Sequence, residues 1–165
     1  MKLAEQFYFM SLVAVTISVG VGYIASGFSA WAIAIFLLGG FWAIAYLWKW
    51  PWGNSFSFAL FCLAIVFGAW VEVNQYWLII AIISALAAWD IANLIARTRR
   101  VARIDDEDNI VVHHLRRLGG VLVIGLVVCL LALNLRLTLT FGWILILGFM
   151  MILALSKVVS FLRQR

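Results

Sequence analysis

Charge is scarce in this sequence. Only 12% of its 165 residues are charged, proline occurs once, and cysteine and histidine occur twice each. With 67% hydrophobic residues, the chain carries more apolar surface than a soluble domain of this length can bury, so lipid is the expected solvent. The near absence of proline leaves long helices uninterrupted. No stretch alternates apolar and polar residues, which excludes a membrane β-barrel and leaves an all-α chain. Cys62 and Cys129 fall in separate apolar runs, so neither a metal-ligand spacing nor a secreted disulfide framework is legible, and both read as small buried side chains. His113 and His114 are adjacent, without a second ligand pair nearby and outside every apolar run, so no metal, haem or other cofactor is expected. A phosphate-cradling glycine loop, an HExxH helix, a nucleophile elbow and paired intramembrane aspartates are all lacking, and the expectation is a non-enzymatic protein. The formal charge of +5 does not point to nucleic acid, because the basic residues gather at the ends of apolar runs, where orientation signals and anionic lipids act.

Apolar runs dominate what is present. A helix needs about 20 residues to cross the hydrocarbon layer, and about six runs approach that length: 7–28, 30–48, 55–71, 76–96, 118–133 and 139–162. The first exceeds the h-region of a signal peptide and reads as a span. The fifth is the shortest; it opens at Gly119-Gly120, leaving a tilted segment, a partly re-entrant one or an extension toward Leu135 as alternatives. The predicted architecture is a polytopic membrane protein, a single membrane-embedded bundle of about six transmembrane helices. Both termini are expected inside, and residues 97–117 form a cytoplasmic loop. With that threading, Lys2, Lys49, Arg97, Arg99, Arg100, Arg103, Arg116, Arg117, Lys157, Arg163 and Arg165 all fall on or near the cytoplasmic side, and only Arg136 falls outside. That distribution is the positive-inside pattern, and it places the chain in the cytoplasmic (inner) membrane. Trp and Tyr gather near both expected interfaces, with Trp42 deeper.

Lipid tails are as apolar as leucine, so helices in a bilayer associate through close packing and interhelical polar contacts. Small residues mark where backbones approach. Ser18, Gly22 and Ser26 recur at intervals of four on the first run, Ala64 and Gly68 on the third, and Ser84, Ala88, Ala92 and Ala96 on the fourth. These are the predicted packing faces. Gly39-Gly40, at the middle of the second run, predicts a tight contact or a flexible point.

An ionisable group inside the hydrocarbon costs about 2.5–3.5 kcal/mol at the helix centre on insertion scales, so each needs a partner or a purpose. Asp90, Asn93 and Arg97 lie on one helical side, and with Lys157, at a comparable depth on the sixth run, they form the candidate buried polar site. Asp90 is expected to pair with Lys157. Arg99, Arg100, Arg103, His113, His114, Arg116 and Arg117 are candidate contacts for anionic lipid head groups of the cytoplasmic leaflet, or topology determinants that also pair with the acidic run 105–108. Glu72, Asn74 and Gln75 either gather a cation or form a solvated turn, the more ordinary reading. The expected function is an accessory or scaffold subunit binding lipids and another membrane protein or a second copy of itself. The alternatives are a small oligomeric transporter or channel built on the Asp90 site, and a lipid-handling protein. Single-cysteine labelling at positions 113 and 114 should modify the protein only from the cytoplasmic face; periplasmic labelling there would overturn the threading.

Overall fold

A computed structural model describes residues 2–50, 52–98 and 107–134. All regular structure among them is helical: α1 (Lys2–Ala25), α2 (Ser29–Leu47), α3 (Gly53–Trp70), α4 (Gln75–Thr98) and α5 (Glu107–Asn134). Each of these 5 helices is long and apolar enough to cross a membrane. The expected sixth run, 139–162, lies outside the described residues. The chain divides into two compact units, Met1–Cys129 and Leu130–Arg165, and of the second only the end of α5 is described.

The first four helices begin and end within a few residues of the predicted runs, apart from the start of α1. The fifth does not. Residues 107–117, expected in a loop, are the first turns of a 28-residue α5 that continues through Gly119-Gly120 without a break. Nothing in this stretch stops a helix. It contains no proline, and its acidic start, Glu107-Asp108, suits the positive end of the helix dipole. Polarity was mistaken for irregularity, whereas a helix of about 42 Å, at about 1.5 Å per residue, simply outreaches the hydrocarbon.

Helices α1 to α4 form an antiparallel ring in which each packs on its neighbours in chain order and α4 closes against α1, while α1 and α3 face each other across the diagonal. Short turns enforce this arrangement. Three helices end in the same six-residue hydrogen-bonded turn, in which Phe28 N–H donates to the Tyr23 carbonyl (2.9 Å), Trp50 N–H to Ala45 (3.0 Å) and Val73 N–H to Gly68 (2.9 Å). The motif requires a left-handed residue one position earlier. Gly27 meets that requirement at the end of α1 with φ 86°, but Lys49 (φ 54°) and Glu72 (φ 60°) occupy it after α2 and α3. A side chain in that conformation costs roughly 1–2 kcal/mol. Asn74 then starts α4, its Oδ1 accepting the Tyr76 N–H at 3.0 Å, so one member of the polar trio Glu72, Asn74 and Gln75 is a helix cap.

The α1–α4 interface is the most extensive in the ring. Helix α4 buries a stripe of residues that includes Leu78, Ala81, Ala85, Ala88, Ala92 and Ile95. The predicted stripe was partly displaced: Ala88 and Ala92 belong to it, Ser84 is half-buried and Ala96 is exposed. Steps of four alone drift around a helix of 3.6 residues per turn, and the observed face alternates threes and fours to stay in line. Ser18 and Gly22 are buried on α1, and a β-carbon on Gly22 would lie 3.1 Å from both Val73 Cγ1 and Trp77 Cβ. The Ser26 hydroxyl instead turns back onto the Gly22 carbonyl of its own helix (3.0 Å). Gly68 leaves room for Leu78 and Tyr23, and the Tyr23 hydroxyl donates to the Ala64 carbonyl at 2.7 Å, tying α1 to α3 across the diagonal.

The outer surface is apolar, with Leu37, Val66 and Trp70 all more than two-thirds exposed (70%, 67% and 79%). Water would penalise that surface and lipid would not. At mid-bundle the two neighbouring glycines differ. A β-carbon on Gly39 would collide with the Thr16 side chain, including Cγ2 at 2.7 Å, whereas one on Gly40 meets nothing within 4 Å. Gly39→Ala should therefore destabilise the bundle by about 1–3 kcal/mol through overpacking, and Gly40→Ala should leave it unchanged. Thermal unfolding of both variants in one detergent checks the contrast.

Candidate functional site

Asn93 and Arg97 lie at the end of the ring where α2 and α4 finish and α3 begins, with Asp90 further back along α4. Asp90 lies on α4 roughly 10 Å before Arg97, at about 1.5 Å per residue, and away from the alanine stripe that faces α1. Its Oδ2 lies 2.6 Å from Nε2 of His114 on α5, and both side chains are about a third exposed (35% and 37%). With Asp90 ionised, the imidazole carries its proton on Nε2 and donates to the carboxylate. Leu115 and Leu118, half-buried, pack against the core on the same side of α5, so the pair forms where the first turns of that helix dock.

The expected partner of Asp90, Lys157, lies outside the described residues; among the described ones Asp90 meets His114, a contact that reading 107–117 as a loop hides. Once 107–117 is helical, His114, Leu115 and Leu118 share one side while His113, Arg116 and Arg117 are exposed. The spacing i, i+1, i+4 in the sequence was the available signal. Arg99, Arg100 and Arg103 also lie outside the described residues.

Asn93 and Arg97 serve a different place. Together with Ala45, Tyr46, Lys49, Trp50, Asn54, Ala92, Ile95 and Ala96 they line a cavity of about 360 Å³ bounded by the end of α2, the turn after it, the start of α3 and the last turns of α4. Trp42, fully buried, donates its indole N–H to Asn54 Oδ1 at 2.7 Å. An indole nitrogen can only donate, so this bond fixes which end of the Asn54 amide is oxygen. The amide nitrogen, Nδ2, is buried without a hydrogen-bond partner. Beside the cavity the Tyr8 and Tyr46 rings stack at 4.1 Å. On the other flank of α3, Trp89 stacks on Phe58 at 5.2 Å and reaches Ser55 Oγ at 3.4 Å. Lys49, Asn54, Tyr46 and Trp50 were not singled out as a site, because only the turn between α2 and α3 brings them to Arg97.

Among the described residues no three His, Cys, Asp or Glu side chains converge to hold a metal ion. Cys62 and Cys129 are both free and half-buried. No family model, curated protein or solved structure matches this chain.

Partly exposed ion pairs contribute about 0.2–1 kcal/mol. A double-mutant cycle with Asp90→Asn and His114→Gln should give a coupling of about 0.5–1 kcal/mol in thermal or denaturant unfolding; strictly additive losses would mean that the two groups do not interact.

Proposed function

We propose that this chain is a multi-pass protein of the cytoplasmic membrane, with both termini inside, that acts without enzymatic chemistry as an accessory or scaffold subunit binding membrane-protein partners or lipids. The observation that carries this reading is the solid middle of the α1–α4 ring. Val15, Val19, Tyr23, Phe61, Ala81, Ala85 and Ala88 are at most 1% exposed, and the described polar residues of the candidate site, Asp90, Asn93 and Arg97, all lie in the second half of α4. A bundle filled in this way has rigid apolar faces to offer a neighbour. The exposed His113, Arg116 and Arg117 on α5 suit anionic head groups of the inner leaflet, each basic residue contributing about 1 kcal/mol.

One observation favours a second reading, a small oligomeric transporter or channel. The Asp90–His114 pair joins two groups able to exchange a proton, on two helices with a narrow mutual contact, and intramembrane ionisable groups commonly mark ion or proton paths.

Native purification in mild detergent and in nanodiscs should recover a stoichiometric membrane-protein partner or a defined oligomer. A solitary monomer in both would overturn the accessory reading. Ion or solute flux in proteoliposomes that vanishes with Asp90→Asn would establish the second in its place.

A further inference from the structure

We propose that the cavity between the α2–α3 turn and the end of α4 is a binding site for a phosphate-bearing anion. The inference deepens the lipid-binding half of the proposed function and rests on it; the partner-binding half is tested separately by co-purification, so each can fail alone.

Among the described residues the charged groups that line the cavity are of one sign: Lys49 and Arg97, both exposed, supply two cations, and no carboxylate is among them. The nearest acid of the candidate site, Asp90, is engaged by His114. The Asn54 amide is held by Trp42 in the orientation that leaves its NH2 group buried and unsatisfied. A buried donor without an acceptor is costly, and an anion oxygen in the cavity would remove that cost. Asn54 itself lies in the first turn of α3, the end of a helix that carries the positive partial charge.

Two features narrow the ligand. A cavity of about 360 Å³ exceeds a bare inorganic ion and accommodates a head group. One wall is apolar, formed by Ala45, Ala92, Ile95 and Ala96, matching the glycerol and first methylenes of an amphiphile. Arginine and lysine together suit phosphate oxygens, the first as a planar fork and the second as a point charge.

The test uses the full chain, purified in an uncharged detergent and titrated with phosphatidylglycerol, uncharged diacylglycerol or inorganic phosphate, and read by thermal shift and native mass spectrometry. Phosphatidylglycerol should bind and stabilise the protein, and diacylglycerol should not. Lys49→Gly and Arg97→Gln should each weaken binding by about tenfold, the loss of one charge-assisted contact. Lys49→Gly should also raise or preserve the ligand-free Tm, because it relieves the strained turn. Asn54→Asp keeps an acceptor for Trp42 while replacing the NH2 donor by an oxygen, and should abolish binding with the fold retained. Saturation by inorganic phosphate alone at similar concentration would assign the site to free phosphate, whereas binding of the lipid only would assign it to a head group. If neither probe binds above the diacylglycerol level, or if binding is unchanged in Lys49→Gly, Arg97→Gln and Asn54→Asp, the proposal is overturned.

Discussion

The close approach of α1 to α4 is the constraint on which the rest of the bundle depends. Lipid offers no hydrophobic reward for bringing helices together, so contact has to come from dispersion between well-matched surfaces. The alanines at 81, 85, 88 and 92 provide a flat face on α4. Helix α1 contributes larger buried residues to the same core, including Tyr8, Leu12, Val15 and Val19. With that seam closed, α2 and α3 complete the ring, and their side chains fill the remaining interior with Trp42 and Phe61, whose rings lie 5.3 Å apart. Gly39 against Thr16 and Gly22 against Val73 and Trp77 show how little slack the closure leaves.

Closing the ring also separates the polar side chains into two neighbourhoods. The alanine face turns inward, so Asp90 points toward α5, where His114 meets it. Two turns later the same helix brings Arg97 to the α2–α3 turn, opposite Lys49. Residues that are neighbours along one side of α4 thus acquire different partners, because what surrounds the helix changes with depth. The buried interhelical hydrogen bonds follow a common logic: Tyr23 to Ala64 and Trp42 to Asn54 each join helices at a point where an unsatisfied donor in an apolar medium would be costly.

The helices themselves were legible because their signal is strong and local. Runs of apolar residues unbroken by proline or charge gave α2, α3 and α4 to within about two residues of their ends, and Gly27 marks the turn after α1 by the conformation it alone adopts freely. Helix α5 was misjudged at its start because hydropathy reports the depth of a membrane, not the length of a helix. A charged extension looks like a loop on that measure. The turns at Lys49 and Glu72 were invisible for a related reason: the six-residue motif fits any residue that tolerates some strain, so it carries no required side chain.

By itself, then, the sequence determined that the chain is helical and apolar enough to span a membrane several times, since both properties depend only on composition and run length. The pairing of Asp90 with His114, 24 positions apart, and the gathering of Lys49, Asn54 and Arg97 around one cavity were decided only by tertiary structure. Such contacts depend on which face each helix buries and at what depth neighbouring helices meet, and these are set jointly by all the packed side chains rather than by any single segment.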